Sequence, residues 1–231
     1  MKILIIANWK CNPTKLKEAR RLFDSVIEKV KNVKKTEVVI CPPFLYIPEL
    51  GKVNYKIRIG AQDCFWGEEG AFTGEVSPKM LKNIGCQHVI LGHSERRKYQ
   101  KEIDELINRK IKAALLEKLK PVLCIEKESQ IKKGLKGISA KELKKVTLAY
   151  EPVFAIGTGK PCSIEKAKRV RGAIKKNFKN NPVLYGGSVN SKNAKDYIEK
   201  ADFQGLLVGG ASLNSSEFVK IVKSIDSILK I

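Results

Sequence analysis

Residues 147–160 read TLAYEPVFAIGTGK. A short apolar run, TLAYE (147–151), ends on a glutamate. Pro152 then breaks the run, and Gly157, Thr158 and Gly159 give the segment that follows the makeup of a hinged lid. In folds built of strand–helix repeats the chemistry sits on the loops that leave the C-terminal ends of the strands. Outward from this stretch, in both directions, short β-branched apolar runs alternate with longer segments of helical spacing. The runs number eight, at 3–8 (ILIIAN), 37–41 (EVVIC), 57–62 (IRIGAQ), 88–92 (HVILG), 121–125 (PVLCI), 147–151 (TLAYE), 183–187 (VLYGG) and 205–209 (GLLVG). Several are apolar nearly throughout, as strands covered on both faces must be.

The intervening segments carry helix punctuation. Asn12-Pro13 and Ser77-Pro78 each place a capping side chain before a proline at an expected first helical position, and Gly85 closes the short helix after Ser77. In SSEFVKIVKSIDSILK (215–230), Phe218, Val222, Ile225 and Leu229 share one face with lysines opposite, which suits a helix packed outside a sheet. Eight βα repeats with right-handed crossovers imply an α/β chain closed into a (β/α)8 barrel. At 231 residues with no linker-like stretch, one domain over 1–231 is expected.

Composition narrows the class. With 43% apolar and 30% charged residues the chain can bury a core and cover it, which excludes disordered and fibrous classes. No apolar stretch approaches the roughly 18 residues of a membrane span, and MKILIIANWK is too short for a secretion signal, so a cytoplasmic location is expected. Cys11, Cys41, Cys64, Cys86, Cys124 and Cys162 are scattered, with no CxxC pair, and are read as reduced thiols. His88 and His93, the two histidines, show no metal-ligand spacing with them, so no metal is expected. The 45 Lys and Arg against 24 Asp and Glu leave a net charge of +21, which attracts anions. Because the lysines lie mostly on polar faces of amphipathic segments, as in KLKEARRLFDSVIEKVKNVKK, the charge alone does not define a nucleic-acid site.

The strand ends hold the reactive residue types. The first run leads into Asn8-Trp9-Lys10, the fourth into Gly92-His93-Ser94-Glu95-Arg96, and the sixth into Tyr150-Glu151-Pro152. The seventh and eighth end in Tyr185-Gly186-Gly187-Ser188 and Gly209-Gly210, where glycines let backbone N–H groups approach a phosphate. His88 begins a strand and reads as a core residue.

The segments NWK, GAFTGE, LGHSERR, AYEPVFAIGTG, YGGSV and GGASL, in this order, resemble the triosephosphate isomerase family from the first strand to the last. The resemblance implies a TIM barrel that interconverts dihydroxyacetone phosphate and D-glyceraldehyde 3-phosphate through an enediolate, in glycolysis and gluconeogenesis, without a cofactor. It makes Glu151 the base and His93 the acid, a neutral imidazole held so by a helix N-terminus. Lys10 would supply positive charge beside the enediolate and the phosphate, and Asn8 a hydrogen bond to the reacting oxygens. Glu95 would orient the lysine, while Gly157, Ser188, Gly209 and Gly210 would hold the phosphate. It also implies a homodimer through the loop 62–75 (QDCFWGEEGAFTGE). There Thr73 would sit near the partner's pocket, Glu75 would pair with Arg96, and Phe65 and Trp66 would serve either as interface bulk or as loop anchors.

Three departures stand out. The lid has Phe154 where the family mostly has tryptophan. After the fifth strand, Glu126-Lys127 replaces the family's Gly-Glu. The region between strands 5 and 6 is also shortened, with a trimmed helix expected. The alternative to an isomerase is a basic anion- or RNA-binding barrel with weak or lost isomerase activity.

Overall fold

The computed structural model describes residues 2–51 and 57–228. Eight strands pair in parallel and in chain order: β1 (Ile3–Asn8), β2 (Thr36–Cys41), β3 (Arg58–Ala61), β4 (His88–Leu91), β5 (Lys120–Ile125), β6 (Thr147–Tyr150), β7 (Val183–Tyr185) and β8 (Gly205–Val208). The eighth returns to the first, with Leu4 opposite Gly205, so the barrel is closed. Gly205 is obligatory at this seam, because a Cβ there would come within 1.9 Å of the Leu4 carbonyl oxygen.

Two apolar layers explain why the strands read as nearly continuous hydrophobic runs. Ile6, Val39, Ile90, Val122, Ala149, Leu184 and Leu207 point inward and fill the barrel. Their sequence neighbours, such as Ile5, Val38, Val89, Leu123 and Leu148, point outward and bury against the helices. Among the described residues the helices are α1 (Leu16–Val30), α2 (Ile47–Leu50), α3 (Pro78–Asn83), α4 (Ser94–Tyr99) and α5 (Asp104–Leu116) in the first half. The second half holds α6 (Glu128–Gly134), α7 (Ala140–Leu143), α8 (Ile164–Asn177), α9 (Ala194–Glu199) and α10 (Ser215–Ile228). None is long and apolar enough to cross a membrane.

α10 buries Phe218, Val222 and Ile225 on one face as the spacing requires; Leu229 lies outside the described residues. Burying each such side chain contributes roughly 1.5–3 kcal/mol. Ser77 caps α3, its side chain accepting from the Met80 N–H, and Gly85 follows that helix with φ +93°. The reading of Asn12-Pro13 as the start of α1 is corrected. The helix begins at Leu16, after Lys15, where the apolar period of Ala19, Phe23, Val26 and Ile27 begins. Pro13 instead lies in the loop after β1, joined to Asn12 by a cis bond, and its carbonyl accepts from the Tyr46 hydroxyl at 2.9 Å. Between β5 and β6 the helical content is two short pieces, α6 and α7, of seven and four residues.

Candidate active site

The C-terminal ends of β1, β4, β6, β7 and β8 open onto a cavity of about 320 Å³. Asn8, Lys10, His93, Glu151, Gly157, Ser188, Gly209 and Gly210 all line it, although up to 202 residues separate them in the chain.

Lys10 leaves β1 in the left-handed region, φ +54°, an arrangement that costs energy unless the surroundings impose it. Two side chains impose it. The Asn8 Oδ1 accepts from the Lys10 N–H at 3.0 Å, and Gln62 Nε2 donates to the Lys10 carbonyl at 2.8 Å and to the Cys41 carbonyl at 2.9 Å. The Lys10 ammonium is thereby aimed at Glu95, with which it forms a hydrogen-bonded ion pair.

His93 stands at the N-terminus of α4 and is 6% exposed. Its Nδ1 accepts from the Glu95 N–H at 3.2 Å, which requires a lone pair there and leaves the proton on Nε2. That nitrogen faces Glu151 Oε1 at 3.1 Å. Glu151 is 2% exposed, and its other oxygen, Oε2, accepts from the Ser94 N–H at 2.9 Å. Oε1 lacks an aligned donor, so a buried carboxylate oxygen is open to an incoming proton. Burial, with the Glu151 charge adding to it, pushes the Cys124 thiol well above its ordinary range, so it stays a neutral group in the wall of the site. The arrangement offers a dry base beside a neutral imidazole donor, with a fixed cation across the cavity.

The lid leaves β6 through a single turn (Val153–Ala155), and Ala155 accepts from the Ser188 hydroxyl at 2.5 Å. Gly157, Thr158, Gly159 and Lys160 at its tip are exposed, and Gly157 and Gly159 also line the cavity. Phe154 is 55% exposed with the Lys166 ammonium 4.4 Å above its ring.

Glu95 lies outside this cavity and reaches Lys10 from a neighbouring groove. After β5, Glu126 is exposed and enters no ion pair among the described residues, while the Gln130 side chain caps the Glu126 and Lys127 N–H groups at 2.7 and 3.2 Å. The acid beside Lys10 is therefore Glu95. Phe65 and Trp66 anchor their own loop: their rings lie 4.6 Å apart, both pack on Phe72, and Arg109 covers Trp66 at 3.3 Å. Within the chain, Arg96 pairs with Asp63 and Glu102, and Glu75 acts on it only at longer range. His88 is 2% exposed at the opposite end of β4 and takes no part in the site. Gln62 and the Ser94 N–H were not legible as site groups. The one available signal for Gln62 was a polar residue at the end of a strand run.

A family model for triosephosphate isomerase matches residues 3–225. The chain is 41% identical to the triosephosphate isomerase of Thermoanaerobacter sp. (strain X514), with 95% of this chain and 98% of that protein covered. It is 42% identical to that of Aquifex aeolicus (97% and 100% covered) and 41% identical to that of Dictyoglomus thermophilum (96% and 98% covered). The anion- or RNA-binding alternative finds no support in these relatives. With eight parallel strands closed in order and the match running through all of them, the chain belongs to the triosephosphate isomerase family.

Proposed function

We propose that this chain, as one catalytic domain, interconverts dihydroxyacetone phosphate and D-glyceraldehyde 3-phosphate in the cytoplasm, without a cofactor. The observation that carries the reading is the convergence of Glu151, His93, Lys10 and Asn8 on one cavity walled by glycine-rich loops. Glu151 exchanges its Ser94 N–H bond for the substrate carbon and removes a proton beside the carbonyl. The His93 Nε2–H polarises the carbonyl and relays protons between the two oxygens, assisted by Asn8 and the Lys10 charge, whose direction Glu95 fixes. Backbone N–H groups at Gly157, Gly209 and Gly210, with the Ser188 hydroxyl, receive the phosphate. Closure of the lid excludes water and retains the intermediate.

The homodimer is part of the same proposal. The tip of the loop 62–75 is exposed from Glu68 to Glu75, and a groove of about 680 Å³ beside the site, lined by Lys10, His93, Glu95 and Arg96, is suited to receive it from a second copy.

The test is conversion of glyceraldehyde 3-phosphate by the purified protein alongside Glu151→Gln. Wild type should turn over, and the variant should lose at least about 100- to 10,000-fold, the usual contribution of a positioned base. A folded wild type without turnover would refute the proposal, and an equally active variant would refute the base assignment.

A further inference from the structure

The far end of the lid is held differently from the near end. The exposed tip (157–160) runs into Pro161 and then into Cys162, which is 2% exposed, before Ser163 caps α8. Both backbone polar groups of Cys162 are taken by tyrosine hydroxyls. Its N–H donates to Tyr185 Oη at 3.0 Å, and its carbonyl accepts from Tyr197 Oη at 2.5 Å.

The rings add rigidity to these two hydrogen bonds. They stack with centroids 3.6 Å apart and an interplanar angle of 12°, and Phe203 meets both edge-on. Tyr185 and Tyr197 are 0% and 1% exposed, so neither hydroxyl has solvent as an easy substitute partner. The Tyr185 hydroxyl also lies directly under the phosphate loop, since a Cβ at Gly187 would come within 2.2 Å of it. Hinge, tyrosine pair and phosphate loop are therefore one packed unit. The near end, by contrast, has Val153 and Phe154 exposed; its carbonyls accept from the exposed Thr158 hydroxyl of the lid itself, at 3.3 Å, and from Ser188, itself a phosphate-site residue.

We propose that Tyr197 is a positioning residue for the isomerase reaction, pinning the Cys162 end of the lid through its hydroxyl so that closure is a swing about the Pro152 end. The inference rests on the isomerase reading for its kinetic consequence but not for its structural one. Pinning one end narrows the set of open lid conformations, so a larger share of closures reaches the geometry that shelters the intermediate.

The test is Tyr197→Phe, which keeps the stack and removes only the hydroxyl, with Tyr197→Leu, which removes both. Two readouts are needed. The first is inorganic phosphate released per isomerisation, since an intermediate left under a loose lid expels its phosphate. This ratio should rise roughly 3- to 10-fold in Tyr197→Phe, the worth of about one net hydrogen bond, and at least as much in Tyr197→Leu. The second needs no substrate: hydrogen exchange of the Cys162 amide should speed up by a similar factor in both. A lowered melting temperature with both readouts within twofold of wild type would make Tyr197 a packing residue only and overturn the proposal. If wild type does not turn over, the isomerase reading fails by itself, and unchanged Cys162 exchange would separately overturn the pinned hinge.

Discussion

Replacing Lys110 by methionine isolates the charge of a residue whose stem is otherwise packed. Lys110 sits on α5, 4% exposed, and its ammonium lies 2.9 and 2.8 Å from the two oxygens of Asp63 while also bonding Glu102. Arg96 closes the cluster, 2.9 Å from Asp63 and 2.8 Å from Glu102, so two cations balance two buried carboxylates. This network ties the loop after β3, which carries Gln62, to α4, which carries Glu95. Methionine preserves the volume and leaves Arg96 alone against both acids. Removing one partner of a buried pair costs about 3–5 kcal/mol, whereas the exposed Lys132–Glu128 pair is worth about 0–1 kcal/mol.

For a chain of this size, about 2–4 °C per kcal/mol converts the cost into a fall in Tm of roughly 6–20 °C for Lys110→Met, against under about 4 °C for Lys132→Met. The assay is thermal unfolding by circular dichroism at pH 7.5. The Lys110→Met deficit should also shrink toward pH 5. Burial pushes the Asp63 carboxyl up to about 6, with Lys110 and Arg96 opposing the rise and the nearby Glu102 carboxylate adding to it. A folded value above the ordinary 3.8 means the folded state binds this proton more tightly. Stability from Asp63 is thus present at low pH and lost as pH rises through about 6, and removing Lys110 deepens that loss. A fall in Tm under about 3 °C, or one equal to that of Lys132→Met, would refute the reasoning.

Two further outcomes are expected. Burial, with Lys120 and Arg58 adding to it, lowers the His88 pKa to about 3, so this histidine stabilises the fold above its ordinary 6.5 and loses that stability as pH falls toward 3. Wild type should therefore lose up to about 2–3 kcal/mol more than His88→Gln between pH 6.5 and 4.5 in urea titrations, and parallel slopes would contradict the assignment. The +21 charge steers anionic substrates, so kcat/KM should fall roughly 2- to 10-fold between about 0.03 and 0.3 M salt while kcat moves less; a flat kcat/KM would show that the surface charge plays no part in encounter.

The features legible in the sequence are those written in short-range pattern. Continuous apolar runs mark strands covered on both faces, and eight of them in alternation with helical segments leave a closed barrel as the consistent packing. The Ser77 cap could be read for the same reason, since its bond spans three residues. Asn12-Pro13 carried an equally good local signal and misled, because the proline carbonyl answers to Tyr46, 33 residues away. The residues that line the cavity could be named from strand-end motifs. What holds each in place could not: Gln62 on Lys10, Ser94 on Glu151, Lys110 on Asp63 and Tyr197 on Cys162 are separated by 52, 57, 47 and 35 residues. Such contacts depend on which way each side chain points once eight strands have taken a common register, and no local spacing encodes that. Sequence alone determined the barrel and the residues at its mouth. The tertiary structure decided their orientation, through buried hydrogen bonds that come into being only when distant strand ends are brought together.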